Sequence, residues 1–250
     1  MMALSELYST FTEKIPKNIS VLDVIQADGW TLVESELGVG VAMSHQGGYK
    51  ESIYHNWIGS PLCDLAAQVN SWNFPRASMG LAAINAYWNT ESVLQEQFKI
   101  DSLSPRLELI SILQKEQAKG NSIGSVGHFP FLDRLPEKVT IFEMNPRTLN
   151  EYPPSAAEYL LPQCNIVLLT ASTLINKTFE PLIRLAEKAV VWLLGPSTTF
   201  APQLINYNIS YLGGLMVTNK SLVKSLVRSG ARRELVKSDG VTKIQVNLRS

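Results

Sequence analysis

From residue 121 onward the chain repeats one pattern: an apolar run of about five residues, then a stretch with helical spacing. The apolar runs fall at 122–126, 138–142, 165–169, 189–194 and 209–212, with 243–246 as a candidate sixth. Helix-like spacers occupy 155–161, 174–187 and 221–228. Strands that are apolar on both sides need cover on both faces, and helical crossovers between parallel strands supply it. The expected fold is α/β, with a Rossmann-like domain over 121–250 built on a mostly parallel sheet. The first of these strands is expected at its centre.

The first 120 residues read differently. Leu4, Leu7, Tyr8, Phe11 and Ile15 fall at helical spacing. Three short strands follow at 21–25, 31–33 and 39–42, with Asp28-Gly29 as a hairpin turn. Helices are expected from Pro61 through Val69, over 77–88 and over 105–119. A strand meander followed by helices is an α+β arrangement. The boundary is placed at Lys119-Gly120-Asn121, giving domains 1–120 and 121–250.

Charge limits the partners. Lys and Arg number 22 against 22 Asp and Glu, so the broad positive field of a nucleic-acid binder is missing. Hydrophobic residues at 45% against 18% charged place the chain among folded proteins. No run of about 18 apolar residues exists to span a membrane. The N-terminal stretch carries acids where a signal peptide needs a basic start. The expectation is a cytoplasmic protein with no membrane or nucleic-acid partner. Its two cysteines, Cys63 and Cys164, are expected as free thiols.

In an open parallel sheet, ligands bind beyond the carboxyl ends of the strands. After the first strand comes Gly124-Ser125-Val126-Gly127-His128-Phe129. This is half a dinucleotide fingerprint, equally well read as a tight turn. After the second comes Glu143-Met144-Asn145. Glu143 stands 19 positions past Gly124, where an acid can bind a ribose diol or simply be solvated. Thr170, Ser172, Thr173, Asn176 and Thr178 follow the third strand; Gly195, Pro196, Ser197 and Thr198 follow the fourth. A helix cap accounts for one hydroxyl but not for a whole polar run. These two loops are therefore expected to form a polar wall that holds an anionic group. Gly213-Gly214 reads as a turn or a close approach after the fifth strand.

The first domain adds Asn73 and Glu34, expected to close a cleft between the domains. His45, His55 and His128 have no partner at metal-ligand spacing, and no nucleophile elbow exists, so no metal site is assigned. His128 is read as the start of a helix after the glycine turn, where an imidazole can move protons. His128 and Glu34 are the candidate catalytic pair.

Several segments together resemble the heavy-metal-chelation family of uncharacterised proteins. They include Ser71-Trp72-Asn73, Gly80-Leu81-Ala82-Ala83-Ile84-Asn85-Ala86, Gly127-His128-Phe129-Pro130 and Glu143-Met144-Asn145-Pro146. Ala157-Glu158-Tyr159-Leu160-Leu161-Pro162, Thr173-Leu174-Ile175-Asn176-Lys177-Thr178 and Leu194-Gly195-Pro196-Ser197-Thr198 complete the set. The resemblance implies an enolase-N-terminal-like domain before the Rossmann-like one, a ligand site between them, and a link to making or handling a metal chelator, flavin or pterin. Ala171 and Lys177 depart from the glycine-like residues expected there, and either is of a size that could narrow the pocket. Two readings stay open. One is a small-molecule enzyme working by condensation or hydrolysis. The other is a non-catalytic binding protein for a metal–chelator complex or nucleotide-like ligand. A nucleotide-like or S-adenosylmethionine-like ligand suits Glu143, and a homodimer is allowed.

Overall fold

The structure, a computed structural model, describes residues 4–50, 56–98 and 109–249. His55 and the 105–108 part of one expected helix lie outside the described residues.

The N-terminal half opens with α1 (Leu4–Thr12) and a meander of β1 (Val21–Gln26), β2 (Trp30–Ser35) and β3 (Val39–Met43). These three pair antiparallel in the order β1-β2-β3. Gly29 makes the first hairpin at φ +101°. Then come α2 (Leu62–Ala66), α3 (Phe74–Trp88), α4 (Glu91–Phe98) and α5 (Leu109–Ala118). The sequence pattern did not single out α4. Helix α3 lies directly on the small sheet. At Gly40 a methyl group would sit 2.1 Å from the α3 backbone, so only glycine allows this approach.

The second half contains β4 (Ile123–Val126), β5 (Thr140–Phe142), β6 (Glu151–Tyr152), α6 (Ala157–Leu160), β7 (Ile166–Thr170), α7 (Thr173–Asn176) and α8 (Phe179–Leu185). It ends with β8 (Val190–Leu194), β9 (Ile209–Val217), α9 (Lys220–Arg228), α10 (Arg233–Lys237) and β10 (Val241–Asn247). Among the described residues seven strands form one sheet in the order β10-β9-β8-β7-β4-β5-β6. All neighbours are parallel except β10, which runs antiparallel to β9. The mostly parallel sheet matches the expectation. The middle place goes to β7, with β4 beside it.

Alternate residues of β7 enter different cores. Val167 and Leu169 join Leu81, Ala82 and Ile84 of α3; Ile166 and Leu168 join Leu113 of α5 and Trp192. One face of the large sheet is thus covered by the N-terminal half itself. In return, Val223, Val227 and Leu235 of α9 and α10 cover Trp30, Leu32 and Val41 on the outer face of the small sheet. The two halves interlock through both cores.

Two expectations change in detail. The helix read over 174–187 breaks at Lys177, which takes a left-handed φ of 67° between α7 and α8. Gly213 and Gly214 are not a turn but lie inside β9. There a side chain would press on Leu194 at 2.8 Å and Thr198 at 3.0 Å. Cys63 and Cys164 are free thiols.

Candidate functional site

Strand β4 hydrogen-bonds β5 on one side and β7 on the other, so the chain direction across the sheet reverses there. In open α/β sheets, ligands bind beyond the carboxyl ends of the strands at such a reversal. Gly127 at φ +96° and Gly195 at φ +114° both face Thr170. A methyl group on Gly127 would stand 3.3 Å from the Thr170 side chain, and one on Gly195 3.7 Å from its hydroxyl. The loops after β4, β7 and β8 therefore meet.

His128 stands next to this meeting point. The expected helix after it is missing: a loop leads to one 3-10 turn at Leu132–Arg134. Without helical N–H groups, the phosphate cradle has no basis here. The backbone N–H of His128 instead donates to Glu143 Oε1 at 2.6 Å. Its ring is held on both sides, by Glu151 Oε1 at 2.8 Å from Nδ1 and Asp133 Oδ1 at 3.2 Å from Nε2. The bond to Glu151 outweighs burial and holds the imidazole pKa above its ordinary value. The Glu151 carboxyl is correspondingly held below its own, by His128 first and then by the Arg147 and Thr148 backbone. Glu143 takes no second side-chain partner among the described residues.

Glu151 and Asp133 escaped the sequence reading. Glu151 sits in a two-residue strand, too short to show any alternation. Phe129 stacks on Phe131 at 5.7 Å and packs against the core that contains Leu113, Leu168 and Trp192. Asn145 is exposed beyond Glu143.

The expected polar wall is largely closed. Ser197 and Thr198 are 1% and 0% exposed, packed between the sheets rather than presented to solvent. Ser197 Oγ accepts the Met43 N–H at 2.8 Å, and the Ser197 and Thr198 carbonyls accept from Asn85 and Asn89 of α3. Thr173 is buried and donates to Thr170 O at 2.6 Å. Asn176 Oδ1 accepts from both the N–H and the hydroxyl of Thr178. Helix α7 has only four residues, too short to gather a helix dipole. Thr170, Ser172, Gly195 and Pro196 remain half-exposed.

Three other candidates do other work. Gly124 lies within β4, where any side chain would strike Cys164 Sγ at 2.7 Å. Asn73 caps α3 by accepting from Arg76 N at 2.9 Å, and its amide donates to Tyr49 O at 2.8 Å. Glu34 does not join His128. Lys224 and Lys220 of α9 hold its carboxylate at 2.7 and 2.9 Å and lower its pKa. Two shallow concavities of about 260 and 300 Å³ also lie elsewhere. The first runs between Gly38, Thr90 and Thr218, the second between Asp28, His45 and Pro75.

The fold defines a mixed α/β protein, with a seven-stranded mostly parallel sheet joined to a three-stranded antiparallel one. Two family profiles, both described as "Putative heavy-metal chelation", match residues 110–245 and 8–88. The chain belongs to this family. A protein with unknown function from the DUF364 family of Desulfitobacterium hafniense is 30% identical. Its crystal structure superposes with a TM-score of 0.87 over 99% of this chain and 100% of that one. A DUF364 protein of unknown function from Pyrococcus horikoshii shares the fold at 21% identity, with a TM-score of 0.74 over 98% and 100% of the two chains. No curated protein matches.

The family description raises the question of a resident metal. Both ring nitrogens of His128 already face carboxylate oxygens. Among the described residues no three His, Cys, Asp or Glu side chains converge with metal-ligand geometry. The donor set of the described residues does not fit a bound metal ion.

Proposed function

We propose that this chain is a small-molecule enzyme whose reacting centre lies at the carboxyl ends of β4 and β7, with His128 carrying the proton. The observation behind this reading is the His128 ring, gripped by Glu151 and Asp133 beside the point where the Gly127, Thr170 and Gly195 loops meet. A raised pKa enlarges the imidazolium fraction at any given pH, in the direction that a general acid for condensation or hydrolysis requires. The free side of Glu143 suits a ligand hydroxyl. The two carboxylates on the ring, with Glu143 on the His128 backbone, favour a neutral or cationic reacting group over an anion. The absence of a helix after β4 weakens the case for nucleotide-like and S-adenosylmethionine-like ligands. The family's chelation description is accommodated if a small molecule, rather than the protein, is the metal's ligand. Handling of a chelator, flavin or pterin remains the substrate class that the resemblance favours.

Native mass spectrometry of freshly purified protein is expected to find a retained small molecule. Glu143→Ala should weaken its binding by about 1.5–3 kcal/mol, the range for a hydrogen bond to a charged group. The melting temperature should barely move. Unchanged affinity would remove the hydroxyl-binding role of Glu143. A molecule that is held but never transformed, in wild type and His128→Gln alike, would make this a binding protein.

A further inference from the structure

Glu151 does two things at once. Its Oε1 holds the His128 ring at 2.8 Å, while Oε2 accepts the backbone N–H groups of Arg147 and Thr148, the latter at 3.2 Å. The side chain is only 4% exposed, although its strand has two residues. The 144–150 loop that it ties begins directly after Glu143. That loop carries Met144 and Leu149 almost bare in solvent, at 74% and 97% exposure. Its other backbone ties among the described residues are Glu143 N to Tyr152 O and Ile141 N to Asn150 O at its ends, both 3.0 Å, and Glu151 N to Thr148 O at 3.1 Å.

We propose that Glu151 couples the proton on His128 to the closure of the 144–150 loop. With His128 charged, a charge-assisted bond fixes the carboxylate so that its second oxygen faces the 147–148 turn. When His128 gives up its proton, that bond weakens and the hold on the turn slackens. The other charged groups facing His128 are Asp133, from the turn after β4, and Glu143, from the end of β5. Neither is hydrogen-bonded to the 147–148 backbone, so the coupling runs through Glu151 alone. Linkage makes the effect reciprocal: a ligand that closes the loop raises the proton affinity of His128. A site of this kind holds its acid charged while closed over substrate and loosens once the proton has been delivered. That functional meaning rests on the reading of His128 as proton carrier; the coupling itself does not.

The test is nuclear magnetic resonance of the full ligand-free chain across the His128 titration. Amide protection at Arg147 and Thr148, corrected for intrinsic exchange, should fall severalfold at the same midpoint as the His128 ring. Glu151→Gln should lower the proton affinity of His128 about tenfold, one pKa unit being the effect of losing an adjacent charge. The same substitution should remove that midpoint from the two amides. In His128→Gln the amide protection should be flat over this range. Protection in wild type that ignores the His128 midpoint overturns the coupling, as does an unmoved midpoint in Glu151→Gln. Turnover in His128→Gln is measured separately: retained activity would remove the proton carrier and leave the coupling intact.

Discussion

Two sets of strand-end loops look alike in sequence and behave oppositely. The loop after β8 presents Ser197, Thr198 and Thr199, all buried against the small sheet and α3. The loops after β4 and β5 present His128 and Glu143, both half-exposed. In the first, Asn89 satisfies three backbone groups: its amide donates to Thr198 O and Leu215 O, and its Oδ1 accepts from Phe200 N. In the second, side chains hold one another and leave capacity free. A polar strand end becomes a seam where another layer lies on top, and a candidate site where none does. The polar run alone does not carry that distinction.

The comparison is broken most directly at Asn89. Asn89→Ala should strand three buried backbone groups and destabilise the protein by about 3–5 kcal/mol, at about 1–3 kcal/mol for each of them less partial relaxation. Urea unfolding measures this, and a loss below about 1 kcal/mol would mean that the seam is hydrated.

A second cross-tie gives a smaller effect with a distinctive pH signature. Lys177 is 6% exposed and, among the described residues, has no carboxylate partner. It donates to Val69 O and Leu174 O and lies 4.6 Å over the Tyr8 ring. Burial lowers its pKa to about 8. Between pH 8 and 10 the unfolded chain therefore binds a proton that the folded chain has released, so folded-state stability from this group rises with pH. The gain is about 2 kcal/mol over that window. Tyr8, whose pKa is raised by burial, opposes it above pH 10. The difference in stability between wild type and Lys177→Met isolates the lysine. A difference that stays constant from pH 8 to 10 would show the ammonium to be hydrated.

The open loops should matter least to stability. The raised pKa of His128 adds stability below its unfolded value of about 6.5, lost as pH rises through the folded value. Because the ring is 30% exposed, the effect should stay below about 1 kcal/mol. Thermal melts of His128→Gln against wild type at pH 6 and pH 9 measure it. A loss as large as that of Asn89→Ala would erase the contrast between seam and site.

The sequence made the sheet readable because burial on both faces leaves an unbroken apolar run, as at 166–169 and 191–194. Turns with a backbone requirement, such as Asp28-Gly29, were equally legible. Short elements were not: β6 and α10 hold too few residues for a period to emerge. The candidate site was half legible. His128, Glu143 and Thr170 announced themselves by following apolar strands. Glu151 and Asp133 reach His128 from 23 and 5 positions away, on a short strand and a 3-10 turn. Glu34 was misplaced because its partners, Lys220 and Lys224, lie 186 and 190 positions downstream. Nothing local shows such a pairing.

The outer face of the small sheet sets a schedule for the chain's synthesis. Trp30, Leu32 and Val41 are made early, but Val223, Val227 and Leu235, which cover them, are made last. At about 5–20 residues per second, the interval between Trp30 and Leu235 is about 10–40 s on the ribosome. Throughout that time an apolar strand surface is bare, ready for a chaperone or for a neighbouring nascent chain. A ribosome stalled shortly before residue 220 would release a product with its first sheet complete and one side of it permanently uncovered.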